Sequence, residues 1–316
     1  METPSFKGIV LSRTLPTALA QALGSLGELR VRSNETGGVP EGARVYCATA
    51  MDAVGAELID SFPASVGLIA NIGVGTDNID LAAARLRGIA VSNTPVVTED
   101  TADLTLALML ATCRRLSANE AFLRNGGWRG QSPAELLGLR VHGKTLGIVG
   151  LGAIGQAVAG RAAGFGMTLL YHGPSRKMDA EAACGASFRD PLGDLLGEAD
   201  IVSLHCPLSQ RTRHLIDAQA LARMKAGAVL INTGRGPLVH ESALVEALDS
   251  GHLGGAGLDV FEFEPEVSQH LLEFPNVTLL PHIGSATGEC RRDMATRVVR
   301  NIKCFLETGR PADPVE

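Results

Sequence analysis

The 316-residue sequence is short of the features that would tie it to a metal, a membrane or a nucleic acid. Its six cysteines (Cys47, Cys113, Cys184, Cys206, Cys290 and Cys304) form no C-x-x-C pair and no Cys/His cluster at metal-ligand spacing. That excludes a zinc-ribbon or thioredoxin-type site and leads us to expect free thiols, no bound metal and a reducing, cytoplasmic setting. No long apolar run is present. The longest uncharged stretches, residues 61–76 and 145–160, are glycine-rich and too short to span a bilayer, and the N-terminal segment has no apolar signal core. No membrane association is expected. Basic runs are missing as well: 28 Lys+Arg stand against 34 Asp+Glu, a net charge of -6, which argues against a nucleic-acid partner.

What the chain does have is 45% hydrophobic residues, only 20% charged residues, and 37 glycines, the usage of a folded protein with many tight turns. Short apolar runs at residues 8–11, 45–48, 67–70, 145–149, 167–171, 201–204, 228–231, 256–260 and 277–280 are separated by helix-length amphipathic segments. Such spacing predicts parallel strands covered on both faces. Two longer helices are expected. One follows Thr98 as N-cap, has Glu99, Asp100 and Asp103 near its positive end, and runs to about Arg124; the other starts near Ser285 and stops before Gly309. The expected class is therefore α/β, with two Rossmann-like doubly wound parallel-sheet domains and a cleft between them. Residues 1–97 plus 286–316 form the outer substrate domain and residues 98–285 an inserted dinucleotide-binding domain.

The inserted block carries a phosphate-loop pattern. A strand over residues 145–149 leads into GLGAIG at 150–155, and Ile154, Val158 and Ala162 then fall on one helical face. Gly150 permits the tight turn, Gly152 lets backbone N–H groups approach a pyrophosphate, and Gly155 lets the helix close on the strand; Ala153 and Ile154 open the helix beside the ligand. A bare G-x-G-x-x-G is weak evidence, so the flanking strand and helix carry the inference. Selection of NAD by such folds uses an Asp or Glu about 20 residues past the first glycine. Here the second strand ends at Tyr171 and is followed by HGPSRK at 172–177, with no carboxylate until Asp179. Ser175, Arg176 and Lys177 suit a 2′-phosphate, so NADPH is expected to be preferred, with NADH possible.

Three polar residues each follow a predicted strand: Arg235 in NTGRG at 232–236, Glu264 in DVFEFEP at 259–265, and His282 in PHIGS at 281–285. Ligands of open parallel sheets bind at that edge, so the trio can meet in one crevice. Reduction of a keto carbon leaves an alkoxide that needs a proton, a task suited to histidine. A carboxylate beside His282 would favour its imidazolium and fix its ring, while Arg235 offers a planar fork for a carboxylate and a carbonyl oxygen.

With NIGVGTDNID at 71–80, HCPL at 205–208, NTGRGP at 232–237, GLDVFE at 257–262 and PHIGS at 281–285 beside the phosphate loop, the sequence resembles the D-isomer-specific 2-hydroxyacid dehydrogenase family, close to glyoxylate/hydroxypyruvate reductases. The resemblance implies reduction of a small 2-keto acid to the D-2-hydroxy acid, with Arg235 as substrate anchor, His282 as acid/base and Glu264 as its partner. It also implies that the amides of Val74 and Gly75 cradle the substrate carboxylate. Thr101 and Asp259, with His282 and Gly284, would lie at the nicotinamide, and Cys206 and Thr233 would line the cofactor groove. A homodimer is implied too. Within GWRGQ at 127–131, glyoxylate/hydroxypyruvate reductases usually carry a second tryptophan where this chain has Gln131. The loss of that indole leads us to expect a larger, wetter pocket suited to longer polyhydroxy acids such as 2-ketogluconate. The competing reading is a dinucleotide-sensing, corepressor-like binding protein of the same fold, which steady turnover of glyoxylate or hydroxypyruvate would exclude.

Overall fold

In the computed structural model, which describes residues 7–32, 38–131 and 133–315, the chain divides into two compact units, Met1–Val97 with Ser285–Glu316, and Thr98–Gly284. Ser285, expected in the inserted block, thus groups with the outer unit.

The outer unit contains β1 (Gly8–Leu11), β2 (Glu28–Val31), β3 (Val45–Thr49), β4 (Leu68–Ile72) and β5 (Ala90–Ser92), in the order β2-β1-β3-β4-β5 with every pair parallel. The inserted unit contains β6 (Thr145–Val149), β7 (Thr168–His172), β8 (Ser187–Phe188), β9 (Ile201–Leu204), β10 (Val229–Asn232), β11 (Gly255–Leu258) and β12 (Val277–Leu279). Its order is β12-β11-β10-β9-β6-β7-β8, again all parallel. Both are doubly wound orders, and each has a point where chain direction across the sheet reverses: β1/β3 in the outer unit and β6/β9 in the inserted one.

Alternate residues of each strand feed cores on opposite faces. In β10, Leu230 packs with Leu195, Leu204 and Leu258 on one side, and Val229 and Ile231 pack with Leu108, Met109 and Ile148 on the other. Both faces being covered, β1, β9, β10 and β11 are buried at every position, which is why they read as unbroken apolar runs. Leu230, without solvent exposure, is worth about 2–5 kcal/mol against truncation to alanine.

The strands missing from the sequence reading are β2, β5 and β8, and each lies at a sheet edge. With one flank unpaired and neighbours on fewer sides, β2 exposes three of its residues and β8 is exposed or half-buried throughout, so neither carries an apolar run.

The first long helix departs from expectation. Thr98 is its first helical residue rather than its cap, and it ends at Cys113; Arg115 turns left-handed at φ 50 before a second helix, Leu116–Arg124, begins. The break has a tertiary cause. The Cys113 carbonyl accepts the N–H of Leu139 at 2.6 Å, so the returning chain takes a helix-end acceptor, and Asn119 Nδ2 on the second helix ties the carbonyls of Arg115 and Leu136 together at 3.0 and 3.1 Å. The last helix, Gly288–Thr308, is capped by Thr287, whose hydroxyl accepts from Cys290 N, and ends at Gly309 with φ 77, as expected of a left-handed C-terminal residue.

Candidate active site

Register in the inserted unit lines the strand ends in one row: His172, Val149, Leu204, Asn232, Leu258 and Leu279 are successive partners across the sheet. The next residue on each strand therefore opens the C-terminal edge, which puts Gly150, His205, Thr233 and Asp259 side by side although they are far apart in sequence.

The phosphate loop begins this edge at the β6/β9 reversal. Gly150 has φ +99, and a Cβ there would lie 2.6 Å from the backbone N of Cys206. A Cβ on Gly155 would collide with the Gly150 carbonyl, so the helix Ala153–Ala163 can approach only as glycine. Gly152 is the opposite case, because a Cβ there would meet nothing within 4 Å. Open space in front of Gly152, together with a helix start that no side chain caps, fits a dinucleotide pyrophosphate at the N–H groups of Ala153 and Ile154.

The loop after β7 is more occupied than its sequence suggests. Arg176 is exposed but makes a two-pronged ion pair with Glu181, Nε to Oε1 and Nη2 to Oε2, both 2.8 Å. Glu181 stands on the helix Met178–Cys184 and also accepts from Tyr171 Oη at 2.7 Å; these bonds hold its carboxyl down at about 2. Tyr171 Oη in turn accepts the Lys177 N–H at 2.7 Å, and Lys177 Nζ donates to the Leu151 carbonyl inside the phosphate loop at 3.0 Å. A helical turn thus folds Glu181 back onto Arg176 and the ring hydroxyl of Tyr171, a pairing that the spacing did not show. Ser175 is exposed on this loop.

His282 and Glu264 are paired: Nδ1 lies 2.9 Å from Oε2. An ionised carboxylate only accepts, so Nδ1 carries the proton and Nε2 is the ring nitrogen left for chemistry. Burial pushes the Glu264 carboxyl up, but the bond from His282, the Phe261 N–H at 2.9 Å and the charges of His282 and Arg235 outweigh it and hold it below its ordinary 4.5. The backbone of His282 is left-handed at φ 54, a region few non-glycine residues adopt, and Asp259 maintains it. The Asp259 carbonyl accepts His282 N–H at 2.8 Å, and its carboxylate oxygens accept the N–H groups of Ile283 and Gly284 at 2.7 and 2.8 Å. Burial pushes the Asp259 carboxyl above its ordinary 3.8, against these hydrogen bonds and the charge of His282.

Thr101 and Thr233 join the same cluster. Thr101 Oγ1 donates to the Gly284 carbonyl at 3.3 Å, while Thr105 bonds Thr101 O at 2.7 Å and Thr233 Oγ1 at 2.8 Å. Cys206 packs beside the Gly150 turn with a thiol that burial pushes up to about 11, so it is a neutral wall and no nucleophile. His205 is next to it; desolvation pushes its ring down to about 4, and Nε2 lies 2.8 Å from Ser203 Oγ, which disqualifies it as a competing proton donor near neutral pH. Gln131 lies exposed on a bend, and among the described residues no group bonds to its amide. In the outer unit, Val74 and Gly75 occupy the loop after β4, where Val74 is 37% exposed.

Residues 106–284 match the family model described as D-isomer specific 2-hydroxyacid dehydrogenase, NAD binding domain. The chain is 48% identical over 269 residues to the glyoxylate reductase of Thermococcus litoralis, covering 84% of this chain and 81% of the relative. The chain belongs to the D-isomer-specific 2-hydroxyacid dehydrogenase family.

Solved structures agree with that membership over nearly the whole length of this dehydrogenase. A glyoxylate reductase from Paecilomyes thermophila is 36% identical with a TM-score of 0.88, covering 99% of each chain. An NADPH-dependent glyoxylate/hydroxypyruvate reductase from Sinorhizobium meliloti, in complex with NADP and malonate, is 35% identical with a TM-score of 0.89, covering 98% of this chain and 97% of the other. The protein is an NAD(P)-dependent dehydrogenase that reduces a 2-keto acid.

Several residues of the dehydrogenase site were not found from sequence. Asn232, 1% exposed, clasps the Arg235 loop from both sides, donating to the Arg235 carbonyl at 2.9 Å and accepting Gly234 N–H at 3.0 Å. Arg235 Nη1 bonds Gly234 O at 2.8 Å. Behind that loop, Glu262 accepts from His214 Nε2 at 2.5 Å and Glu241 N at 3.0 Å. The sequence signal available for Asn232 was a polar side chain ending an otherwise apolar strand; Glu262 had none beyond its closeness to Glu264.

Proposed function

We propose that this dehydrogenase reduces glyoxylate, hydroxypyruvate or a longer polyhydroxy 2-keto acid such as 2-ketogluconate to the D-2-hydroxy acid, with His282 as general acid/base. The observation that carries this reading is the His282–Glu264 pair at the C-terminal edge of the inserted sheet, 2.9 Å apart. The reduced nicotinamide, when bound, supplies the hydride. His282 gives its Nε2 proton to the oxygen of the former carbonyl, and Glu264 stabilises the imidazolium that precedes transfer and keeps the ring in place. Arg235 anchors the substrate carboxylate and polarises the keto oxygen, and the Val74 and Gly75 amides hold the same carboxylate. Asp259 keeps the turn that presents His282 and has oxygen lone pairs left for the nicotinamide carboxamide; Thr101, Thr233, Cys206 and Gly284 bound the ring's surroundings. Gln131 in place of an aromatic residue favours the longer substrates. A spectrophotometric panel of keto acids tests the proposal: a kcat/KM for glyoxylate far above every longer acid would remove the longer-substrate reading, and no turnover of any would favour the dinucleotide-sensing alternative.

NADPH is the proposed preferred cofactor. Lys177 is held at the phosphate loop, and Arg176 is exposed, so a doubly charged 2′-phosphate can compete with Glu181 for its guanidinium. Glu181 also favours a second reading, since its carboxylate can accept ribose hydroxyls of NADH. The ratio of kcat/KM for the two cofactors decides between them.

A homodimer is proposed on the exposed apolar side chains of residues 116–139. Leu116, Leu123, Trp128, Leu137 and Leu139 are 53, 57, 58, 68 and 42% exposed, and the helix Leu116–Arg124 buries none of its residues. Sedimentation reads the state directly, and a monomer at micromolar concentration would exclude it. Among the described residues no helix is long and apolar enough to cross a membrane. The proposed cytoplasmic setting rests on the six cysteines, which are free thiols.

A further inference from the structure

The loop after β4 is built in a way that the motif alone does not require. Three successive carbonyls are each held by protein donors: Gly73 O by the Thr94 N–H at 3.0 Å, Val74 O by Asn93 Nδ2 at 2.8 Å, and Gly75 O by Asn71 Nδ2 at 2.8 Å. In a trans peptide the N–H points opposite to the carbonyl of the same plane. The N–H groups of Val74, Gly75 and Thr76 are therefore turned away from those anchors, and among the described residues none of them has a protein acceptor. Gly73 N–H is the boundary of the run, because it donates to Thr94 Oγ1 at 2.9 Å.

The anchors are fixed in turn. Asn71 is fully buried and its Oδ1 accepts from Asn78 Nδ2 at 3.2 Å; the same amide donates to Thr49 O and Asp52 O at 3.1 and 3.0 Å. Asp52 accepts from Ser12 Oγ at 2.6 Å, from Thr49 N and Oγ1 at 2.8 and 2.7 Å, and from Arg13. Burial pushes the Asp52 carboxyl up, and these bonds bring it below its ordinary 3.8. Asn93 is fixed through its own carbonyl, which accepts from the buried Asn301 at 2.9 Å. Loops following β1, β3, β4 and β5 are thus tied into one network that ends on the carbonyls of residues 73–75.

We propose that Asn93 and Asn71 are positioning residues that, together with the Thr94 N–H on the Gly73 carbonyl, aim three consecutive amides at the substrate carboxylate: Thr94 sets that of Val74, Asn93 that of Gly75 and Asn71 that of Thr76. The proposal rests on the reading that the Val74 and Gly75 amides take that carboxylate; it adds Thr76 as a third donor and identifies what sets the direction of all three. Amides already oriented need no reorganisation when the anion arrives, whereas peptide planes left to rotate would lose that advantage.

The test uses the intact enzyme and compares glyoxylate with its primary amide, which has the same aldehyde and no carboxylate. Asn93→Ala removes the donor on Val74 O without adding charge, and Asn93→Ser serves as a second variant that stays polar but lacks the reach of the amide. Either variant is expected to lose about ten- to a hundredfold in kcat/KM for glyoxylate, through KM, and to change by less than about threefold for the amide, in kcat and in the KM for the nicotinamide cofactor. Equal losses on acid and amide would overturn the positioning role. A wild-type enzyme that does not prefer the acid over the amide would overturn the carboxylate reading beneath it, and so the two failures are distinguishable.

Discussion

The loop after β4 in the outer unit and the 259–284 region of the inserted unit solve the same problem with different materials. Each sits at the C-terminal edge of a parallel sheet, and each is held by polar side chains behind it: the buried Asn71 and the half-buried Asn93 in one case, the buried Asp259 and Asn232 in the other. What they present differs. The outer loop offers backbone amides, which carry no titratable proton near neutral pH. The inserted unit offers His282, Glu264 and Arg235, whose charges interact, as the lowered Glu264 carboxyl records. On the proposed roles, the comparison teaches that substrate anchoring by the amides would be insensitive to pH, whereas proton transfer by the pair would not.

The largest expected effect breaks the charged side of this comparison. His282→Ala should lower kcat by roughly 10² to 10⁴ with the cofactor KM nearly intact, the usual size of general-acid help. Steady-state assays with glyoxylate check it, and near wild-type turnover would refute the assigned acid. A smaller effect is expected at the other charged contact. Arg176→Ala should raise the NADPH KM by about tenfold or more and leave the NADH KM little changed, because a charge-assisted bond to a 2′-phosphate is lost only with the former. An equal change for both cofactors would show that Arg176 does not discriminate the 2′-phosphate. The smallest effect is expected at Cys206. Its thiol stays protonated up to about pH 11, so Cys206→Ser should alter kcat/KM by less than about threefold; a larger loss would assign it chemistry that its ionisation does not support.

Much of this arrangement was legible in the sequence where burial was complete. Central strands declared themselves as apolar runs because both faces are covered, and the trio Arg235, Glu264 and His282 stood out because each follows such a run. The phosphate loop was legible for a local reason: Gly150 and Gly155 are required by backbone contacts within a few residues of the turn. What the sequence concealed depends on the third dimension. Strands β2 and β8 lie on sheet edges and share the polarity of loops, and the helix expected to reach Arg124 breaks because Leu139, far along the chain, claims the Cys113 carbonyl. Glu181 was missed since a helical turn returns it to Arg176, and Asn71 and Asn93 read as ordinary polar residues at strand ends until their acceptors were visible.

The division between neutral and titrating halves also fixes how acid should act. Glu264 is held below its ordinary 4.5, so the stability it contributes is present above its unfolded value and is lost as pH falls through the lower folded value. Near neutral pH the pair remains intact, and only substitution removes the carboxylate. The most direct measurement is therefore the pH profile of kcat/KM for glyoxylate reduction in the wild-type enzyme, Glu264→Gln and Asn93→Ala. The account predicts that Glu264→Gln moves the alkaline limb toward acid, because an amide cannot stabilise the protonated state of the pair, while Asn93→Ala lowers the whole profile without moving it. A profile that shifts in Asn93→Ala, or stays in place in Glu264→Gln, would contradict it.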